Sequence, residues 1–141
     1  MTGKAATSSA RDIEIPAMDG FALAATVYKP DTPTDKVVLI AGGTGVLRRF
    51  YDPFARFLQR QGFGVVTFDY RGIGDSRPPS LKGFSAQMHE WGQQDIAGVL
   101  HWIEQEVQPA WTFIRVSCIS MWKVAVSIRK PLFRSKMKGL R

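Results

Sequence analysis

The sequence predicts an α/β protein whose mostly parallel sheet is opened by an antiparallel hairpin. Three observations carry that prediction: a continuous apolar run at Val37-Val38-Leu39-Ile40-Ala41, a second at Gly64–Phe68, and a helical pattern between them. Runs that are apolar at every position belong to strands covered on both faces, and strand, helix, strand is the spacing of a right-handed crossover between parallel neighbours. With 141 residues, 45% of them hydrophobic, the chain is long enough to bury a core.

Arg11 to Pro16 and Phe21 to Tyr28 are short β-leaning runs on either side of Met18-Asp19-Gly20. Asp-Gly is a strong turn dipeptide, so the two read as a hairpin. Val37 to Ala41 follows as a buried strand and ends in glycines. After the loop from Gly42 to Arg49, Phe50, Phe54, Phe57 and Leu58 recur at helical spacing, with Asp52-Pro53 suited to a first turn and Gly62 to a stop. Gly64 to Phe68 is the second buried strand. The segment from Asp69 to Ser85 is rich in Gly, Pro and Ser and reads as a loop. From Gln87 onward, Trp91, Ile96, Val99, Leu100 and Ile103 mark a longer amphipathic helix that ends near Gln108-Pro109, and Trp111 to Val116 reads as the next strand.

Charge divides the chain. The formal charge is +7, yet residues 1 to 116 hold 12 Lys and Arg against 12 Asp and Glu. All of the excess lies in residues 117 to 141, which carry seven basic residues and no acidic one. The expected organisation is therefore a disordered N-terminus over 1–10, a domain over 11–116 and a basic tail over 117–141. No apolar run reaches the roughly 18 residues of a membrane span, and the first residues lack the apolar stretch of a secretory signal, so the expected location is cytoplasmic. One cysteine, Cys118, excludes an internal disulfide, and with only His89 and His101 as histidines no metal centre and no cofactor is implied.

Two glycine loops carry the chemistry. Ile40-Ala41-Gly42-Gly43-Thr44-Gly45 follows a strand and precedes a helix, where backbone N–H groups could cradle an anion or a developing oxyanion. It also looks like the nucleotide-binding turn of the ferredoxin-reductase family. That rival lacks the G-x-G-x-x-G spacing of a dinucleotide fold, and no room lies upstream for a flavin-binding barrel. The second loop, Asp69-Tyr70-Arg71-Gly72-Ile73-Gly74-Asp75-Ser76, resembles the D-x-R-G-x-G-x-S segment of the α/β-hydrolase superfamily. Gly62-Phe63-Gly64-Val65-Val66 before it and Trp91, Asp95, Val99 and Trp102-Ile103 after it are similar to the same superfamily. The segment from Gly45 to Ala55 resembles a subgroup of predicted α/β hydrolases, serine aminopeptidase-like in description.

That resemblance implies the N-terminal part of an α/β-hydrolase fold over residues 11–116, incomplete at the C-terminus, acting on small-molecule ester or amide substrates in its intact form. It places an oxyanion loop on Gly43, Thr44 and Gly45, with the Thr44 N–H as donor, although the usual His-Gly is Gly42-Gly43 here. Asp69, Arg71, Gly72, Gly74 and Ser76 take structural roles, with Asp69 and Arg71 expected to clamp each other. The nucleophile should follow the next strand on a G-x-S-x-G elbow. Instead the chain reads Ser117-Cys118-Ile119-Ser120-Met121-Trp122, and Ser120 is the only candidate, with a β-carbon and an indole where glycines are needed. In the family the acid and histidine follow the nucleophile, and the tail has neither. The expectation is a truncated serine hydrolase that is catalytically incompetent as written, its tail a frameshift, a retained intron or a genuine extension. An exposed sheet edge would favour self-association or chaperone dependence. The remaining alternative is a basic-tailed module for nucleic acid or anionic lipid, for which no stacking aromatics or recognisable motif speaks, so no specific nucleic-acid partner is expected.

Overall fold

The computed structural model describes residues 9–116 and 128–129. Six strands form one sheet: β1 (Ser9–Pro16), β2 (Ala22–Lys29), β3 (Lys36–Ala41), β4 (Gly64–Phe68), β5 (Trp111–Val116) and β6 (Ile128–Arg129), in the order β1-β2-β4-β3-β5-β6. The hairpin forms as its Asp-Gly turn requires, with Ile13 opposite Ala25 and Ile15 opposite Leu23. β3 runs parallel to both β4 and β5, pairing Leu39 with Val66 on one side and with Ile114 on the other. β2 meets β4 antiparallel, Val27 facing Val66.

The unbroken apolar character of β3 is explained by cover on both faces. Leu39 joins Ile15, Leu23, Phe68, Val99 and Ile103 in the larger core, while Val38 and Ile40 join Tyr28, Ala55 and Val65 in the smaller one. Helix α1 (Asp52–Arg60), entered through a 3₁₀ turn at Arg48–Tyr51, covers the smaller core. The larger core lies under helix α2, spanning 88–107, which widens twice to π geometry, at Trp91–Ile96 and at Ile103–Val107. Gln108, at φ 51, breaks the helix in a left-handed turn just before Pro109.

Three expectations change. The disorder expected over 1–10 gives way at Ser9 and Ala10, which pair with Lys29 and Tyr28; residues 1–8 lie outside the described residues. The apolar spacing of α1 does not face inward as a stripe. Leu58 packs on the smaller core, but Ala55 and Gln59 are the buried residues of the helix, and Phe50, Phe54 and Phe57 are exposed. A small Ala55 lets the helix sit close to the sheet, and the Gln59 amide donates to Lys29 O at 2.7 Å and to Ser9 O at 3.3 Å, satisfying carbonyls at the hairpin's open end. The third change concerns the sheet edge expected to be bare. Ile128 and Arg129 pair antiparallel with Thr112 and Trp111, so the tail covers β5 at those two positions. Among the described residues no helix is long and apolar enough to cross a membrane.

Candidate functional site

β3 is flanked by β4 and β5, so Ala41, Phe68 and Val116 lie side by side in register. The two glycine loops and the chain beyond β5 therefore leave the sheet at the same end, the carboxyl end where open α/β sheets bind ligands. A cavity of about 240 Å³ lies at the opposite end, lined by Val27, Pro30, Val37, Gly64 and Val107, and is remote from these loops.

The first loop is held from beneath. Gly42 and Gly43 are buried, whereas Thr44 and Gly45 are exposed at its crest. Val46 N–H donates to Gly43 O at 3.1 Å, closing a turn in which Gly45 takes φ +73. Gly43 N–H donates to the Tyr51 hydroxyl at 3.0 Å. A β-carbon on Gly42 would stand 2.9 Å from Cε2 of Tyr51, so only glycine admits that ring.

Arg48 binds the two loops together. Its backbone N–H donates to Asp69 Oδ1 at 2.7 Å, and its guanidinium reaches Asp69 Oδ2, Asp75 Oδ2 at 2.8 Å and Thr26 Oγ1 at 3.0 Å. Burial alone would lower the Arg48 pKa, but the hydrogen bond to Asp75 and the charge of Asp69 outweigh it and raise it. The Arg48 hydrogen bond holds the Asp75 carboxyl below the ordinary carboxylate value. Gly74 takes φ +51 with Asp69 Oδ2 2.7 Å from where its β-carbon would be. Ser76 Oγ donates to Asp69 O at 2.7 Å and accepts from Ala24 N at 2.8 Å, and Gly72 N–H donates to Ser76 O at 3.0 Å. The second loop is thus stitched to β2 as well as to the first.

The expected clamp between Asp69 and Arg71 is replaced by two separate networks. Asp69 takes Arg48, while Arg71 points to the other face and takes Asp95 and Asp19. Arg71 N donates to Asp95 Oδ2 at 2.9 Å and Nε to Oδ1 at 2.8 Å, and the far edge of the guanidinium grips both oxygens of Asp19 at 2.8 and 2.9 Å. The Arg71 hydrogen bonds lower the Asp19 pKa, and burial raises that of Asp95 against the pull of the same arginine. Residues i and i+2 share a face in extended backbone, so the divergence of Asp69 and Arg71 comes from the turn that follows the end of β4 at Phe68, closed by Ile73 N–H on Tyr70 O. Arg48 and Tyr51 were not singled out from the sequence. The signal for Arg48 was an arginine beside a loop expected to carry a buried aspartate; for Tyr51 it was Gly42, where a histidine is usual.

His89 and His101 are exposed on α2. Cys118, Ser120 and Trp122 lie outside the described residues.

A family profile described as alpha/beta hydrolase fold matches residues 35–110, which include both glycine loops and most of α2. The chain belongs to the alpha/beta hydrolase fold family. It is 30% identical over 88 residues to an uncharacterized 31.7 kDa protein from the traX-finO intergenic region of Escherichia coli, a match spanning 62% of this chain and 29% of that one. Among solved structures of the hydrolase fold, the esterase Pf2001 of Pyrococcus furiosus superposes with TM-score 0.65 at 20% identity, covering 82% of this chain and 44% of that one. An alpha-beta serine hydrolase homologue from Coxiella burnetii gives 0.59 at 20% identity over 75% and 50%, and XC6422 of Xanthomonas campestris, a serine hydrolase without lid, gives 0.58 at 18% over 77% and 50%. At these identities the likeness is one of fold. The chain spans half or less of the length of each of these hydrolase-fold relatives. The ferredoxin-reductase-like alternative is not favoured by any of these matches.

Proposed function

We propose that this chain carries the oxyanion-loop portion of a serine-hydrolase site for small-molecule esters or amides, and that the 141-residue chain by itself does not turn such substrates over. One observation carries the first half: Gly43, Thr44 and Gly45 form a crest at the carboxyl end of β3, between the ends of β4 and β5, locked there by Arg48 on Asp69. That position, at the end of the sheet where the family's nucleophile follows the next strand, supports a backbone amide such as Thr44 N–H as the oxyanion donor. No cofactor or metal enters this reading.

The second half rests on the residues after Val116. An activated serine needs an adjacent base that is itself oriented by a third group. No G-x-S-x-G occurs in the sequence, Ser120 is flanked by Cys118 and Trp122 at the glycine positions, and no acidic residue follows Val116. The test is 4-nitrophenyl acetate hydrolysis together with labelling by a fluorophosphonate, on this chain and on its Ser120→Ala and Cys118→Ala variants. The expected result is background hydrolysis and no stoichiometric label. Labelling that disappears in Ser120→Ala makes Ser120 a working nucleophile and overturns the reading.

A further inference from the structure

We propose that the cavity at the amino end of β3 and β4 is a second binding site, for a small carboxylic acid with an apolar body; it stands apart from the oxyanion-loop reading above. Three features of the chain make this cavity. Helix α2 stops at Val107, where Gln108 turns left-handed, so the sheet face of the larger core runs on past the end of its covering helix. Gly64 puts no side chain on that stretch; a β-carbon there would stand 3.3 Å from Val37 Cγ2 and 3.8 Å from Thr34 Cγ2. Pro30 and Pro33, in the connection from β2 to β3, fix φ and carry no N–H, so that wall is stiff and offers no backbone donor at those two positions.

The contents of the cavity wall set the ligand class. Val37 and Val66 are 2% and 1% exposed and Val27 packs against the same core, so the floor is apolar. Lys29 is the one charged residue among the described residues that line the cavity, and it is exposed, as is Val107. A lysine stem lies along apolar surface while its ammonium stays in water, which sets a positive charge at the mouth of an apolar hole. Asp31 and Asp35, on the same connection, do not line it. One ammonium matches one carboxylate, whereas a phosphate monoester would bring further charge with nothing to meet it. Volume limits the size. A cavity of about 150 Å³ takes up benzene and pockets for drug-sized ligands begin near 300 Å³, so about 240 Å³ fits one ring with a short side chain, or an alkyl chain of about seven carbons.

The probe is octanoate, with octanamide as its neutral counterpart, titrated into the full chain labelled with ¹³C at the valine methyls. The expected result is a saturable shift of the Val27, Val37, Val66 and Val107 methyls at one midpoint, with octanamide about fivefold weaker, the worth of one ion pair at an exposed lysine. Lys29→Met keeps the stem and is expected to bring octanoate down to the affinity of octanamide, leaving octanamide unchanged. Val107→Trp, at a position 39% exposed, fills the mouth and weakens both. Equal affinities of the two compounds for the wild-type chain overturn the choice of a carboxylic acid. Binding that survives unchanged in Val107→Trp, or a response confined to other valines, places the ligand elsewhere, the exposed face of Phe50, Phe54 and Phe57 included, and overturns the site. So does the absence of any saturable response.

Discussion

Arg48 and Asp69 are 5% and 1% exposed and meet as a buried ion pair. Removing one charge of a buried pair leaves the other uncompensated, so Arg48→Met lowers stability by about 3–5 kcal/mol in urea unfolding. Asp75, 52% exposed, shares the same guanidinium, and Asp75→Asn shifts stability by about 0–1 kcal/mol. Equal effects of the two substitutions would contradict the assignment of Asp69 as the partner that matters. The second arginine predicts a pH dependence. Asp19 has a folded pKa below its ordinary 3.8, so its pairing with Arg71 stabilises above that value and is lost as pH falls through the folded pKa. Asp95 is raised and works in the other direction, its contribution complete below 3.8 and lost as pH rises through its folded value. Acid unfolding of Asp19→Asn is therefore shallower below pH 3.8 than that of the wild-type chain, and identical curves would remove Asp19 from the account. Asp69 and Arg71 were both legible as structural residues in the sequence, but their partners were not. Those partners lie 21, 24 and 52 residues away, and no local spacing encodes which of two arginines an aspartate meets after folding.

At the scale of elements, the hairpin, the crossover and α2 were legible because each has a strong period or turn signal, and their ends moved by only a few residues. The buried face of α1 was not. Phe50, Phe54 and Phe57 have helical spacing whichever way the helix turns, and the deciding contact is Gln59 with two hairpin carbonyls, a tertiary hydrogen bond with no sequence period. The widening of α2 to π geometry also left no mark in its apolar spacing. Where α2 crosses the hairpin, a β-carbon on Gly98 would come 2.5 Å from Ala17 Cα and 2.7 Å from Pro16 O. Alanine favours a helix interior by about 1 kcal/mol over glycine, but backbone atoms cannot step aside as a side chain would, and overpacking costs about 1–3 kcal/mol. Gly98→Ala is therefore expected to lower the melting temperature. A rise would show that α2 and the hairpin are not in contact at this point.

For the molecule as a whole, the same α1 face becomes an exposure. Leu47, Phe50, Phe54 and Phe57 are all more than two-fifths exposed, on a chain whose β5 edge is paired by the described residues only at Trp111 and Thr112. Contiguous apolar surface and open strand edges promote association. Sedimentation velocity is expected to show concentration-dependent assembly of the chain, and a Phe50→Lys, Phe54→Glu, Phe57→Lys variant is expected to move toward monomer with unchanged secondary structure. A variant that sediments like the wild-type chain would rule out this face. The position of Asp19 has a consequence in time. Among the described residues the hairpin is the first element to be synthesised, yet a lone hairpin is marginal in water. The guanidinium that grips its turn belongs to Arg71, 52 residues later, and β2 has no second neighbour until β4 exists. At ordinary elongation rates that interval is about 3–10 s. For that long the hairpin turn goes without the guanidinium that grips it, and when Asp95 follows, turn, loop and helix are fastened by one arginine in a single late event.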